Sequence, residues 1–119
     1  DFVASPNLTA QPFDEWTLMG RTVKVETAAE IVAKKLWHRG DRATARDLFD
    51  LSLVIEREPD ALATAAPYLV RHREAFLAQI GQRRAVLTAQ FEEIDALGYQ
   101  PGYDEAVERA SRFLLQLPA

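Results

Sequence analysis

Apolar and polar positions follow two different periods along this chain, and the period changes at Glu26-Thr27. Before that point, Thr22-Val23-Lys24-Val25-Glu26 alternates every second residue, as a half-buried strand does. Asp1–Ser5 reads as another short strand closed by Pro6 and Asn7, and Thr17–Met19 as an apolar segment able to pair. Gly20-Arg21 marks the turn between the pairing segments, and Asn7–Glu15, interrupted by Pro12, reads as loop. Two short strands around a turn need a larger sheet to be stable. Few further strand candidates exist here, so the expectation is that an N-terminal part of the sheet lies outside these residues, a reading that the opening Asp, in place of Met, also fits.

After the change, apolar residues recur at helical spacing. Thr27-Ala28-Ala29-Glu30 matches a capping box and predicts a helix ending at Gly40. Asp41 is the expected cap of a second helix running to about Glu58, where Pro59 stops it. A short helix is expected from Asp60, and another from Pro67 that carries Leu69, Phe76, Leu77 and Ile80 inward, with a break permitted at Gly81. Leu87, Phe91, Ile94 and Leu97 form the next stripe, ended by Gly98, and Asp104 caps a last helix with Val107, Ala110, Leu114 and Leu117 on one side. The fold class predicted is α+β, mostly α: a short N-terminal β element followed by a helical bundle. Residues 1–58 and 59–119 are the two expected regions, packed as one domain.

The first two helices carry charge where apolar residues are expected. On a wheel, Ala28, Ile31, Val32 and Leu36 define the first stripe; Lys35 falls inside it and Arg39 one turn later, while Glu30 and Lys34 are expected to face solvent. On the second helix Leu48, Leu51 and Ile55 share the core face, and Asp47, Asp50 and Val54 lie beside it. Burying charge is costly unless it is paired or binds something. Lys35 either snorkels to the edge or faces a ligand. Arg39 can complement the helix macrodipole. Arg46 can form a surface ion pair with Asp50, worth at most about half a kcal/mol. That pairing leaves the position of Asp47 unexplained. Two carboxylates facing a lysine can orient it, or hold a Mg²⁺-bound phosphate.

Composition narrows the choices. Hydrophobic content of 48% with 27% charged residues describes a globular chain and argues against disorder. A net charge of −4 argues against a dominant non-specific nucleic-acid binder but leaves room for a local basic strip, for which Arg71, His72, Arg73, Arg83 and Arg84 are candidates. The absence of cysteine removes disulfides, thiolate zinc sites and cysteine nucleophiles, and is compatible with a cytoplasmic location. No apolar run is long enough to span a membrane. His38 and His72 have no evident ligand partners, and Trp16 and Trp37 read as packing residues.

The segment EIVAKKLWHRGDRATARDLFDL resembles the signature of the AbiEii/AbiGii toxin family of nucleotidyltransferases, a helix of the form E-I-x-A-x-K-L followed by R-D-L-(F/Y)-D-L. The matching positions are Glu30, Ile31, Ala33, Lys35 and Leu36, then Arg46, Asp47, Leu48, Phe49, Asp50 and Leu51. The resemblance implies a polymerase-β-like core, to which the N-terminal β element would belong. It also implies transfer of a nucleotide from an NTP with Mg²⁺, a tRNA or protein acceptor, and a toxin–antitoxin or abortive-infection setting. It assigns Lys35 to the nucleotide phosphates and Asp47, with Asp50, to the active site; Arg39 and Arg46 complete the candidate nucleotide-binding set. The family's Gly-Ser and D-x-D motifs do not occur in the sequence, and Asp1 is the one candidate for a remaining catalytic, metal-binding carboxylate. The reading implied is the C-terminal part of a nucleotidyltransferase, inactive alone. The alternative is a non-catalytic helical module that binds an antitoxin, RNA or a second copy of itself.

Overall fold

A computed structural model describes residues 7–94, 99 and 101–118. Strands β1 (Phe13–Leu18) and β2 (Arg21–Glu26) form an antiparallel hairpin in which Phe13 pairs with Glu26 and Leu18 with Arg21. β1 begins before the expected Thr17, because Pro12 stands just outside the ladder and interrupts nothing. The turn is Met19-Gly20, one residue earlier than read from sequence, with φ of 52° and 79°. Two positive φ values give the mirror-image turn that matches strand twist, a conformation glycine accepts freely and methionine does not. The expected strand at Asp1–Ser5 lies outside the described residues.

Helix α1 (Ala28–Arg39) follows at once, capped by the Thr27 hydroxyl. A short 3₁₀ turn, Gly40–Arg42, leads to α2 (Ala45–Arg57). Asp41 lies inside that turn; the cap of α2 is Thr44, whose side chain accepts from the Asp47 amide while Asp47 reaches back to the Thr44 amide. This complete capping box starts the second helix three residues later than expected. Then come α3 (Pro59–Ala63), α4 (Ala66–Leu69), α5 (Arg73–Gln82), α6 (Arg84–Glu92) and α7 (Tyr103–Gln116). The helix expected from Pro67 through Ile80 is thus split after Leu69, and the break near Gly81 falls at Arg83. The expected stop at Leu97-Gly98 lies outside the described residues, and Gly102, not Asp104, precedes α7.

Helix α2 is the hub, packing on α1, α3, α6 and α7. Leu48 and Leu51 are fully buried on it, as predicted, and Phe49 sits edge-on or tilted against Tyr99 and Phe91, with Phe91 in turn against Tyr103. Burying such residues contributes roughly 1.5–3 kcal/mol each. Small residues let the helices approach: Ala33, Ala43, Ala65, Ala106 and Ala110 are all fully buried. Ser52 is buried mid-helix, and its hydroxyl is satisfied by Tyr99 Oη at 2.6 Å and Arg109 Nη1 at 3.1 Å.

That close packing rotates α1 relative to the sequence reading. Its buried face is Ala29, Glu30, Val32, Ala33 and Leu36, while Ile31 is exposed. Glu30, expected in solvent, is wholly buried. It accepts hydrogen bonds from the amides of Leu8 (3.0 Å) and Thr9 (2.9 Å) and from the Thr9 hydroxyl (2.8 Å). Lys34 is also drawn inward, pairing with Glu26 and lying 3.7 Å from Glu30. The first capping box is therefore half-formed: Thr27 caps the Glu30 amide, but the Glu30 carboxylate serves the incoming chain instead of its own cap.

Candidate functional site

The charged positions of α1 and α2 meet along the seam between the two helices. Lys35 projects from α1 beside Asp50, with Nζ 3.4 Å from Oδ2, and Arg46 approaches the other oxygen of Asp50 at 3.1 Å. One turn toward the connecting 3₁₀ segment, Arg39 Nη2 donates to Asp47 Oδ1 at 2.7 Å. Five of the residues selected from the sequence, Lys35, Arg39, Arg46, Asp47 and Asp50, thus stand in one two-rung ladder. Asp1 lies outside the described residues.

The rungs differ in character. Asp47 is 5% exposed, and both its oxygens have structural duties: one receives Arg39, the other the Thr44 amide at 3.3 Å. A carboxylate that caps its own helix and neutralises a neighbouring guanidinium is held in place on two sides. Arg39 is committed as well, with its Nε buried and lacking a partner among the described residues. The Lys35–Asp50–Arg46 rung is looser. The side chain of Lys35 is 36% exposed and that of Arg46 is 64% exposed, and the Lys35 contact is long for a charge-assisted hydrogen bond. Of Lys35's two readings from sequence, the ammonium neither leaves the seam nor is sealed in it. It rests on an acidic partner at the surface.

The connecting turn that sets the seam is clamped from α5. Gln79 accepts the Ala43 amide at 2.5 Å and donates to the Asp41 carbonyl, and Arg83 reaches the Ala43 carbonyl at 3.4 Å. Gly40 permits this approach: a Cβ there would lie 2.8 Å from His72 Cβ. The candidate basic strip is used in the same internal way. Arg71 lies over the Trp37 ring, Arg73 binds the carbonyls of Leu114 and Leu117, and Arg84 pairs with Asp104 above Tyr103. These guanidiniums tie helices together.

The resident carboxylates do not fit a Mg²⁺ site: Asp47 and Asp50 are each occupied by a cation, and no three acidic or histidine side chains converge among the described residues. Beside the looser rung runs a shallow groove of about 190 Å³, lined by Ala28, Ile31, Val32, Asp50, Leu53 and Val54. Sequence reasoning missed both this groove and Glu30. Glu30's partners are more than 20 residues away in the chain, and a wheel that counts alanine as neutral misplaces the face on which they meet.

The chain is thus a mostly helical α+β protein with paired cations and carboxylates on one helical hairpin. A family model describing the nucleotidyl transferase AbiEii toxin of type IV toxin–antitoxin systems matches residues 1–115, and the chain belongs to that family. Comparison with curated proteins found no match, nor did comparison with solved structures. Among the described residues no helix is long and apolar enough to cross a membrane.

Proposed function

We propose that the seam between α1 and α2 is the triphosphate-facing wall of a nucleotidyl-transfer cleft, with Lys35 as the phosphate contact. The observation that carries this reading is the looseness of the Lys35–Asp50 pair, a cation at the surface that a stronger anion can draw away. Nucleotidyl transfer gathers negative charge on phosphoryl oxygens, and a preplaced ammonium stabilises it. Arg46, still paired with Asp50, keeps that carboxylate neutralised when Lys35 turns to the phosphate. Asp47 and Arg39 act at one remove: they fix the start of α2 and hence the position of Asp50.

In this reading the donor is an NTP, the acceptor a tRNA or protein group, and the cognate antitoxin a further partner. These 119 residues contain neither a Gly-Ser nor a D-x-D motif. They are accordingly proposed to bind the phosphates without transferring the nucleotide unaided. The test is calorimetric titration with tripolyphosphate and with each NTP, using wild type, Lys35→Ala and, as control, Lys24→Ala on the exposed hairpin. Binding that is lost in Lys35→Ala and kept in Lys24→Ala supports the reading. Binding that is equal in all three proteins, or absent in all three, overturns it.

A further inference from the structure

The apolar groove and the lysine rung are parts of one surface. Asp50 belongs to both: it lines the groove, and its carboxylate is 3.4 Å from Lys35 Nζ. The groove walls come from Ala28, Ile31 and Val32 on α1 and from Leu53 and Val54 on α2. Ile31 is left exposed here, although the same helix buries Val32 and Leu36. An apolar slot whose rim carries one carboxylate has the lining expected of a site for a flat ring bearing N–H donors on its edge. Its volume lies below the roughly 300 Å³ at which sites for whole drug-sized ligands begin. It suits one ring system, with the remainder of the ligand lying across the rung.

We infer that this groove seats the base of the nucleotide whose phosphates Lys35 binds, with the base edge donating to Asp50. The inference rests on the phosphate reading given above. The exchange leaves every group with a partner: Lys35 leaves the Asp50 oxygen for the phosphates, that oxygen receives a base N–H in its place, and Arg46 on the other oxygen keeps the carboxylate neutralised. The aliphatic lining gives the ring van der Waals contact, and Asp50 supplies the orientation.

The experiment compares Kd values for tripolyphosphate, which lacks a base, with those for ATP, GTP, CTP, UTP and the four nucleosides. Wild type is set beside Ala28→Leu, a substitution at an exposed wall position that fills the groove without touching the core. The tightest NTP is expected to bind at least about ten-fold better than tripolyphosphate, the gain of one charge-assisted hydrogen bond. Ala28→Leu is expected to abolish that gain while leaving tripolyphosphate binding within about two-fold, since the substitution is remote from the ammonium. If every NTP binds like tripolyphosphate, or if Ala28→Leu keeps the gain, the base seat is wrong and the phosphate reading stands. If nucleosides bind, lose binding in Ala28→Leu, and tripolyphosphate does not bind, the groove stands and the phosphate reading falls. If nothing binds, both are overturned.

Discussion

Replacing Glu30 with glutamine tests the least expected feature of the fold, a wholly buried carboxylate that ties the entering chain to α1. One oxygen accepts the Thr9 amide and hydroxyl; the other accepts the Leu8 amide at 3.0 Å. In Glu30→Gln the amide oxygen can serve Thr9, which places the new NH₂ group against the Leu8 N–H, donor against donor, and leaves that N–H only its longer 3.3 Å contact to the retained oxygen. A hydrogen bond to a charged group contributes about 1.5–3 kcal/mol, and a buried orphaned amide costs about 1–3 kcal/mol. Relief from burying a charge offsets part of this. A net loss of about 2 kcal/mol is expected, a large part of the roughly 5–15 kcal/mol available to a domain. With a urea m-value of about 1–3 kcal/mol/M, the unfolding midpoint drops by about 1 M. Thr9→Val, which removes the hydroxyl alone, is expected to cost about 1 kcal/mol. The double variant should fall short of the sum, because Glu30→Gln already turns the Thr9 hydroxyl's bond from a charge-assisted one into a weaker neutral one, leaving less for Thr9→Val to remove. A midpoint for Glu30→Gln within about 0.2 M of wild type, or strict additivity with Thr9→Val, refutes the clamp.

Three further predictions concern the seam and the core. Arg39→Ala strips a nearly buried carboxylate of its cation and should cost about 1–2 kcal/mol, less than a fully buried pair because Arg39 is itself 43% exposed. Lys35→Ala should cost no more than about 0.5 kcal/mol by the same urea titration, and equal losses would contradict the division into a structural and a loose rung. Gly40→Ala drives a Cβ to 2.8 Å from His72 Cβ, an atom too close to the backbone to swing aside. Differential scanning calorimetry should report a loss of about 1–3 kcal/mol, and the same substitution in a His72→Gly background should be nearly neutral. Burial pushes the Tyr103 hydroxyl above its ordinary value of 10.0, with Arg84 opposing, and the hydroxyl donates to the Ile80 carbonyl at 2.6 Å. Above pH 10.0 the folded state keeps a proton that the unfolded state releases, so stability falls as pH rises through that window. Tyr103→Phe should flatten this fall in alkaline denaturation curves, and an unchanged slope would show that another group drives it.

Legibility of the chain from sequence followed the range of the interactions. The helix caps at Thr27 and Gly40 and the helical stripe through Leu48, Leu51 and Ile55 depend on near neighbours, and each was readable. So was the charged hairpin: Lys35, Arg39, Arg46, Asp47 and Asp50 do meet, and the family they resemble is the family the chain belongs to. The rotation of α1 was not readable, because it follows from close contact with α2 at Ala33 and from the clamp that buries Glu30. Periodicity ranks Ile31 above Ala29 as a core residue; the tertiary packing reverses them. The start of α2 was misplaced for a related reason. Asp41 and Thr44 are both good caps, and the choice between them is made by Gln79 holding the turn from 36 residues away. The two roles of Asp47, box partner and anchor for Arg39, likewise needed both helices in place.

In the function proposed, Lys35 exchanges Asp50 for a phosphate while Arg39 stays on Asp47. Side-chain NMR reads this directly, by following the Lys35 ammonium, the Asp47 and Asp50 carboxyl carbons and the Arg39 guanidinium as tripolyphosphate is added. The Lys35 and Asp50 signals are expected to move together along one saturating curve, with Arg39 and Asp47 unchanged. Lys35 and Asp50 signals that hold still while phosphate binds at other cations would contradict it.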